Sequence, residues 1–209
     1  MFLIKVEMDY REAQRRHLLD DCQSMHRFVT GLFGTDRQSS QILYRTNLVQ
    51  NKLCIYLYSQ NHTKDVPLSC KVQQQDTTPW LDQMTVGQIW GFDLITAPSK
   101  KVKRYDDDGN ELKGQNSRRR MIREPIERRA WLESKAEQNG FQLLHVEELE
   151  QIHVSGKHKM EKGGRMIHSA FHYQGILRIT DTDTFRMALQ TGIGPGKAYG
   201  FGMMMLKRI

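Results

Sequence analysis

The sequence predicts an α+β protein with antiparallel sheets, built as two successive units of similar grammar. Three observations carry that reading. Phe2, Ile4, Val6 and Met8 alternate with Leu3, Lys5 and Glu7, the period of a half-buried strand, and an amphipathic helix follows. From residue 88 onward the order of strands and helices starts again. A length of 209 residues accommodates two small units with real cores.

Each element has a local cause. After the first strand, residues 10–19 read as a polar, basic connection leading to Asp20 and Asp21, side chains suited to cap a helix. Cys22, Met25, Val29, Leu32 and Phe33 then form one apolar stripe that ends near Gly34. Residues 41–49 and 52–58 are strand-like and meet at a Gln50-Asn51 turn, and residues 68–75 offer another strand.

In the second part, residues 88–96 form a strand that stops at Pro98. A long polar loop precedes a helix over 124–139, with Pro125 at its first position and Gly140 past its end. Residues 143–154 and 166–180 are strands around a loop rich in glycine and lysine. In the latter strand Ile167, Phe171, Tyr173, Leu177 and Ile179 share one face, and His168, His172, Gln174 and Arg178 share the other. A helix over 182–191, capped by Asp181 or Thr182, presents Phe185, Ala188 and Leu189, and residues 199–206 close the chain as a strand. The order β-α-β-β-α-β is the ferredoxin-like, or RRM-like, arrangement. The expectation is a tandem of such domains over residues 1–85 and 86–209, the first lacking a strong second helix.

Composition narrows the partners. Thirty-one basic against 24 acidic residues give a net charge of +7, which favours an acidic partner, nucleic acid first. No segment approaches the ~18–20 apolar residues of a membrane span. The amino terminus carries charge too early for a signal peptide. Cys22, Cys54 and Cys70 have no paired spacing, so neither a disulfide framework nor a zinc knuckle is implied, and the expected location is cytoplasmic.

The basic residues cluster. Lys100, Lys101, Lys103, Arg104, Lys113, Arg118, Arg119, Arg120, Arg123, Arg128 and Arg129 lie between the strand ending at Thr96 and the middle of the next helix. A helix N-terminus there adds backbone donors for phosphate. Asp106, Asp107 and Asp108 interrupt the run as a turn; their carboxylates could in principle hold a metal, but three adjacent acids on a loop are more often just solvated. Lys157 and Lys159 stand in a second basic loop.

Near the end, residues 192–202 hold five glycines and Lys197. Such a loop, with Gly194 and Gly196 at its centre, can approach an anion closely through its backbone N–H groups. A dinucleotide fold requires strand, glycines, helix; here a helix precedes and a strand follows, which excludes it. A tight turn at a helix end is the plain alternative.

His26 sits about 100° around the first helix from the apolar stripe, at the edge between core and solvent. An imidazole there can exchange a proton near neutral pH, although most helix-edge histidines are structural. Cys22, four residues earlier, offers a cysteine–histidine pair in principle, but no orienting third group or oxyanion site accompanies it.

Taken together, the basic tandem, His26 seven residues before Phe33, the segments 91–98 and 122–132, and the terminal Gly-Ile-Gly-Pro-Gly-Lys-Ala-Tyr-Gly-Phe-Gly resemble the CasE family of CRISPR-associated endoribonucleases from type I-E systems. The resemblance spans nearly the whole chain. It implies cleavage of CRISPR repeat RNA at the base of its hairpin, by attack of the 2′-hydroxyl on its own phosphate, with no cofactor or metal. It also implies retention of the product crRNA within the Cascade complex alongside its other subunits. His26 falls at the family's catalytic position; Arg27, Lys157 and Lys159 are candidates to stabilise the phosphorane. Gln23 stands where some relatives carry tyrosine, and an amide cannot serve as a general acid. The competing classes are a non-catalytic RNA-binding subunit of such a complex and an RNA-recognition module that stacks bases on Tyr56 and Tyr58.

Overall fold

Alternation over the first residues produces β1 (Phe2–Asp9), which places Ile4, Val6 and Met8 on one buried face. The computed structural model describes residues 1–34, 42–103, 118–157 and 165–209. The stretch expected as a connection contains a short helix, α1 (Tyr10–Arg15). It has one buried residue, Ala13, so periodicity could not reveal it; the Asp9 cap on the Arg11 N–H and the Glu12–Arg15 and Glu12–Arg16 pairs stabilise it instead.

Helix α2 (Cys22–Gly31) begins where Asp21 accepts hydrogen bonds from the backbone N–H groups of Gln23 and Ser24. Its stripe of Met25, Val29, Leu32 and Phe33 packs on Ile4, Val6, Met8, Leu53, Ile55 and Leu57. Burial of each such side chain contributes roughly 1.5–3 kcal/mol. β2 (Leu43–Val49) and β3 (Lys52–Ser59) are joined by Gln50 and Asn51, both at positive φ, as a two-residue hairpin requires. With β4 (Cys70–Asp76) the antiparallel order is β2-β3-β1-β4. Residues 60–69, where a second helix would cross this sheet, carry none. A short helix, α3 (Thr78–Asp82), follows β4.

The second sheet has the order β10-β5-β9-β8, formed by β5 (Ile89–Thr96), β8 (Phe141–Lys157), β9 (Arg165–Ile179) and β10 (Met204–Lys207). Its core face packs against α4 (Pro125–Gln138) through Leu132 and Ala136, and against α5 (Thr182–Thr191) through Phe185, Ala188 and Leu189. Both sheets therefore have the ferredoxin-like strand order, and the tandem α+β expectation holds.

Three further details differ from expectation. The polar loop after Pro98 contains a separate hairpin of β6 (Ser99–Val102) and β7 (Arg118–Met121). The final strand starts only at Met204, because Gly200 and Gly202 adopt positive φ and Lys197–Tyr199 forms a 3-10 turn instead. Ile167 is two-thirds exposed, because the far end of the β8–β9 ribbon runs beyond the core that buries Phe171, Tyr173, Leu177 and Ile179.

The two sheets meet through the other face of the first one. Leu43 and Tyr58 pack on Met203, with Leu3, Tyr56 and Met205 around them. Burial pushes the Tyr58 hydroxyl up to about 12. This ring is interior packing and offers no stacking platform; Tyr56 is half-buried in the same cluster.

Candidate RNA-processing site

Four segments converge at the start of α2. Asp21, the cap, also accepts the Ser24 hydroxyl at 2.6 Å. One turn on, His26 is half-buried, and its carbonyl accepts the Thr30 hydroxyl at 3.0 Å. The far end of β8 passes alongside: the Ser155 hydroxyl approaches the Asp20 carbonyl at 3.5 Å. Gly156 is a packing requirement, since a Cβ there would lie 2.7 Å from the Cys22 sulfur and 3.3 Å from Gln23. The next residue, Lys157, ends β8, so its backbone runs beside the first turn of α2.

The glycine-rich segment contributes the third wall. Its 3-10 turn, Lys197–Tyr199, touches α2. Two contacts hold it there: the Tyr44 hydroxyl donates to the Ala198 carbonyl at 2.8 Å, and the Tyr199 ring stacks on His168 with centroids 3.7 Å apart. Burial lowers the His168 pKa, favouring the neutral imidazole in that stack. Between α2, β2, β8 and this turn lies a cleft lined by Cys22, Tyr44, Thr46, His153, Ser155 and Tyr199.

Gly194 shows why the loop needs glycine. Its φ is +83°, and a Cβ would sit 2.4 Å from the Thr96 hydroxyl and 3.0 Å from the Trp131 ring. The Thr96 hydroxyl donates to the Ile193 carbonyl at 2.8 Å, the Ile193 N–H to the Gly202 carbonyl at 2.9 Å, and the Gly202 N–H to the Ile95 carbonyl at 2.7 Å. Much of the loop's backbone is thus tied to β5 and to itself, with Gly196 and Lys197 at the end nearest α2.

Arg27 is exposed and turned back toward the helix cap, 3.2 Å from the Ser24 hydroxyl and 3.8 Å from the Asp21 carboxylate. The thiol of Cys22 is buried, and burial with Asp21 nearby pushes its pKa up, the opposite of an activated nucleophile.

The basic hairpin lies on the other side of the glycine loop. Its register sets Lys100 opposite Arg120 and Lys101 opposite Arg119. Like charges directly opposite on a two-stranded ribbon are destabilising, so the arrangement is suited to a polyanion. Lys100 has a partial offset in Glu127 at 3.1 Å. Lys103, Arg123 and Arg129 are exposed, the last paired with Glu133 at 2.8 Å. Arg104, Lys113 and Lys159 lie outside the described residues, and Arg118 and Lys157 are described for their backbone alone.

Arg128, expected among the phosphate contacts, is a correction. It is buried on α4, bonded to both carboxylate oxygens of Glu148 and to the Arg123 carbonyl, and its guanidinium lies 4.0 Å over the Phe171 ring. The hydrogen bond from Arg128 holds the Glu148 carboxyl below its usual range.

Sequence reasoning missed a polar network at the seam. Asp93 on β5 pairs with Arg45 on β2, with His172 at 3.0 Å and with Gln174 at 2.8 Å. An acidic residue inside the otherwise apolar run 89–95 was its signal.

Comparison with known proteins adds a family and relatives. A family model described as CRISPR associated protein matches residues 1–208. The CRISPR-associated endoribonuclease Cse3 of Thermus thermophilus is 28% identical over 135 residues, 60% of this chain and 59% of that protein. The alignment thus spans less than two-thirds of that relative's length. A structure of the CRISPR endoribonuclease Cse3 bound to a 19-nucleotide RNA superposes with a TM-score of 0.81 at 22% identity, covering 99% of this chain and 100% of that one. A chain of a pre-nicking CRISPR RNA-guided surveillance complex gives 0.71 at 24% identity, with both chains fully covered.

Proposed function

Because the chain belongs to the family of CRISPR associated proteins, we propose that it is an endoribonuclease that cuts CRISPR repeat RNA at the base of its hairpin. It works without a metal ion and stays on the product crRNA as a subunit of the type I-E Cascade surveillance complex, in the cytoplasm. The observation that carries the reading is the convergence on α2. Helix α2, which carries the half-buried His26, lies against the Gly156 end of β8 and against the Lys197–Tyr199 turn of the glycine loop, and the basic ribbon stands on the loop's other side. Among the described residues no helix is long and apolar enough to cross a membrane.

In this reading residues 1–85 supply the catalytic helix, and residues 86–209 supply the ribbon and the loop. The 2′-hydroxyl loses its proton and its oxygen attacks the adjacent phosphorus. The 5′-oxygen leaves and takes up a proton, giving a 2′,3′-cyclic phosphate and a 5′-hydroxyl. His26 performs one of these two proton transfers, a role worth about 100- to 10,000-fold. Lys157 and Lys159, which follow Gly156 in sequence, and Arg27, 3.8 Å from Asp21, are the candidates to offset the phosphorane's added charge. Lys100 and Arg120, a cross-strand pair of the ribbon, hold the stem by its phosphates, since the deep groove of A-form RNA hides its base edges.

The test is a labelled repeat hairpin incubated with the protein in EDTA. A discrete product ending in a cyclic phosphate is expected, and His26→Ala should bind the hairpin without cutting it. Binding by the native protein with no product would instead establish a non-catalytic subunit.

A further inference from the structure

A second groove opens on the side of the glycine loop away from α2. Lys101 and Arg119 of the β6–β7 ribbon, Trp131, Lys135 and Gln138 of α4, and Gly194 line it. Its volume of about 520 Å³ falls within the ~300–1,000 Å³ range of small-ligand sites. Three cations and no carboxylate line it among the described residues. Two of them, Lys101 and Arg119, are cross-strand partners. The third is held in place: the Lys135 ammonium lies 2.7 Å from the Gln138 amide oxygen and 6.0 Å from the centroid of the Trp131 ring. Trp131, half-buried, packs against Gly194 and forms an apolar wall between the charges.

We propose that this groove binds unpaired RNA flanking the hairpin, with phosphate on Lys101, Arg119 and Lys135 and a base against Trp131. The inference rests on the RNA-processing reading above and extends it to the single strand. A duplex keeps its base faces stacked inside and has no use for an indole wall; an unpaired nucleotide presents both a phosphate and a face. The location fits as well. One loop, residues 192–202, has Lys197–Tyr199 against the catalytic helix at one end and Gly194 in this groove at the other. A strand that leaves the cleavage point at the base of a stem passes from one to the other.

The experiment compares two RNAs on a His26→Ala background, which keeps them intact: the repeat hairpin with its unpaired flanks, and the same hairpin trimmed to the stem. Lys135→Glu is expected to weaken binding of the flanked RNA about tenfold and to leave the trimmed one within twofold. Tryptophan emission should be quenched more by the flanked RNA, and Trp131→Phe should remove the difference. Equal losses for both RNAs would make the groove part of the stem surface, and no loss for either would leave it unoccupied; each outcome overturns the proposal. Equal quenching by the two RNAs overturns the base contact. If the His26→Ala parent fails to bind even the trimmed hairpin, the RNA-processing reading itself falls, a separate result.

Discussion

The two halves share a strand order but not a purpose for their surfaces. The second sheet is closed on its core face by both α4 and α5, and its extra hairpin and glycine loop project from that rigid base. The first sheet has α2 on one face and no crossing helix over residues 60–69, and it uses its other face to pack against Met203 and Met205 of the second half. One half carries the candidate proton-transfer group, and the other carries the cations and the loop. The site therefore depends on the seam as much as on either core.

The largest expected effect breaks the contribution of the first half. His26→Ala should lower single-turnover cleavage by at least about 100-fold, the lower bound for general acid–base catalysis. Hairpin affinity should stay within about threefold, since the ribbon and loop are untouched. A parallel loss of affinity, measured by gel shift, would instead make His26 part of the binding surface.

The next prediction separates the second half's core from its basic surface. Arg128→Ala leaves Glu148 without its partner and uncovers the Phe171 ring. Removing one member of a buried pair costs about 3–5 kcal/mol, and the partial exposure of Glu148 places this case at the lower end. About 3 kcal/mol corresponds to a melting temperature lower by roughly 6–12 °C. The salt dependence of RNA binding, measured below the transition, should not change. Lys101→Ala and Arg119→Ala should do the reverse: no loss of stability, and a log–log salt slope for binding of the flanked hairpin reduced by about one each.

How much of this was legible follows from the forces involved. The stripe of α2 and its Asp21 cap are local signals, and His26 at the stripe's edge followed from helical period alone. Arg128 was misplaced because charge outweighed position. Its spacing of four from Leu132, and of eight from Ala136, already put it on the buried face of α4. The β6–β7 hairpin was hidden because its strands carry lysine and arginine rather than alternating apolar residues. The stack of His168 on Tyr199 joins residues 31 apart across two elements, and no local pattern encodes it.

The smallest expected effect tests the seam itself. Burial alone would raise the Asp93 pKa, but the hydrogen bond and charge of Arg45, with bonds from Gln174 and His172, outweigh it and hold the carboxyl below its usual value. Glu150 lies on the far side of His172, at 3.7 Å. A carboxyl whose folded-state pKa is depressed contributes stability above its unfolded value of about 3.9, and that contribution is lost as pH falls through the folded value. Asp93→Asn should therefore lower stability by about 1.5–2 kcal/mol at pH 7, the lower end of the range for hydrogen bonds to a charged group, because the carboxylate is partly exposed. The gap between native protein and variant should hold down to about pH 5 and narrow below about pH 4. Denaturant unfolding across that range reads it directly. A gap that stayed constant into acid would mean that the Asp93 charge contributes nothing at the seam, and that Met203, Leu43 and Tyr58 hold the halves together by packing alone.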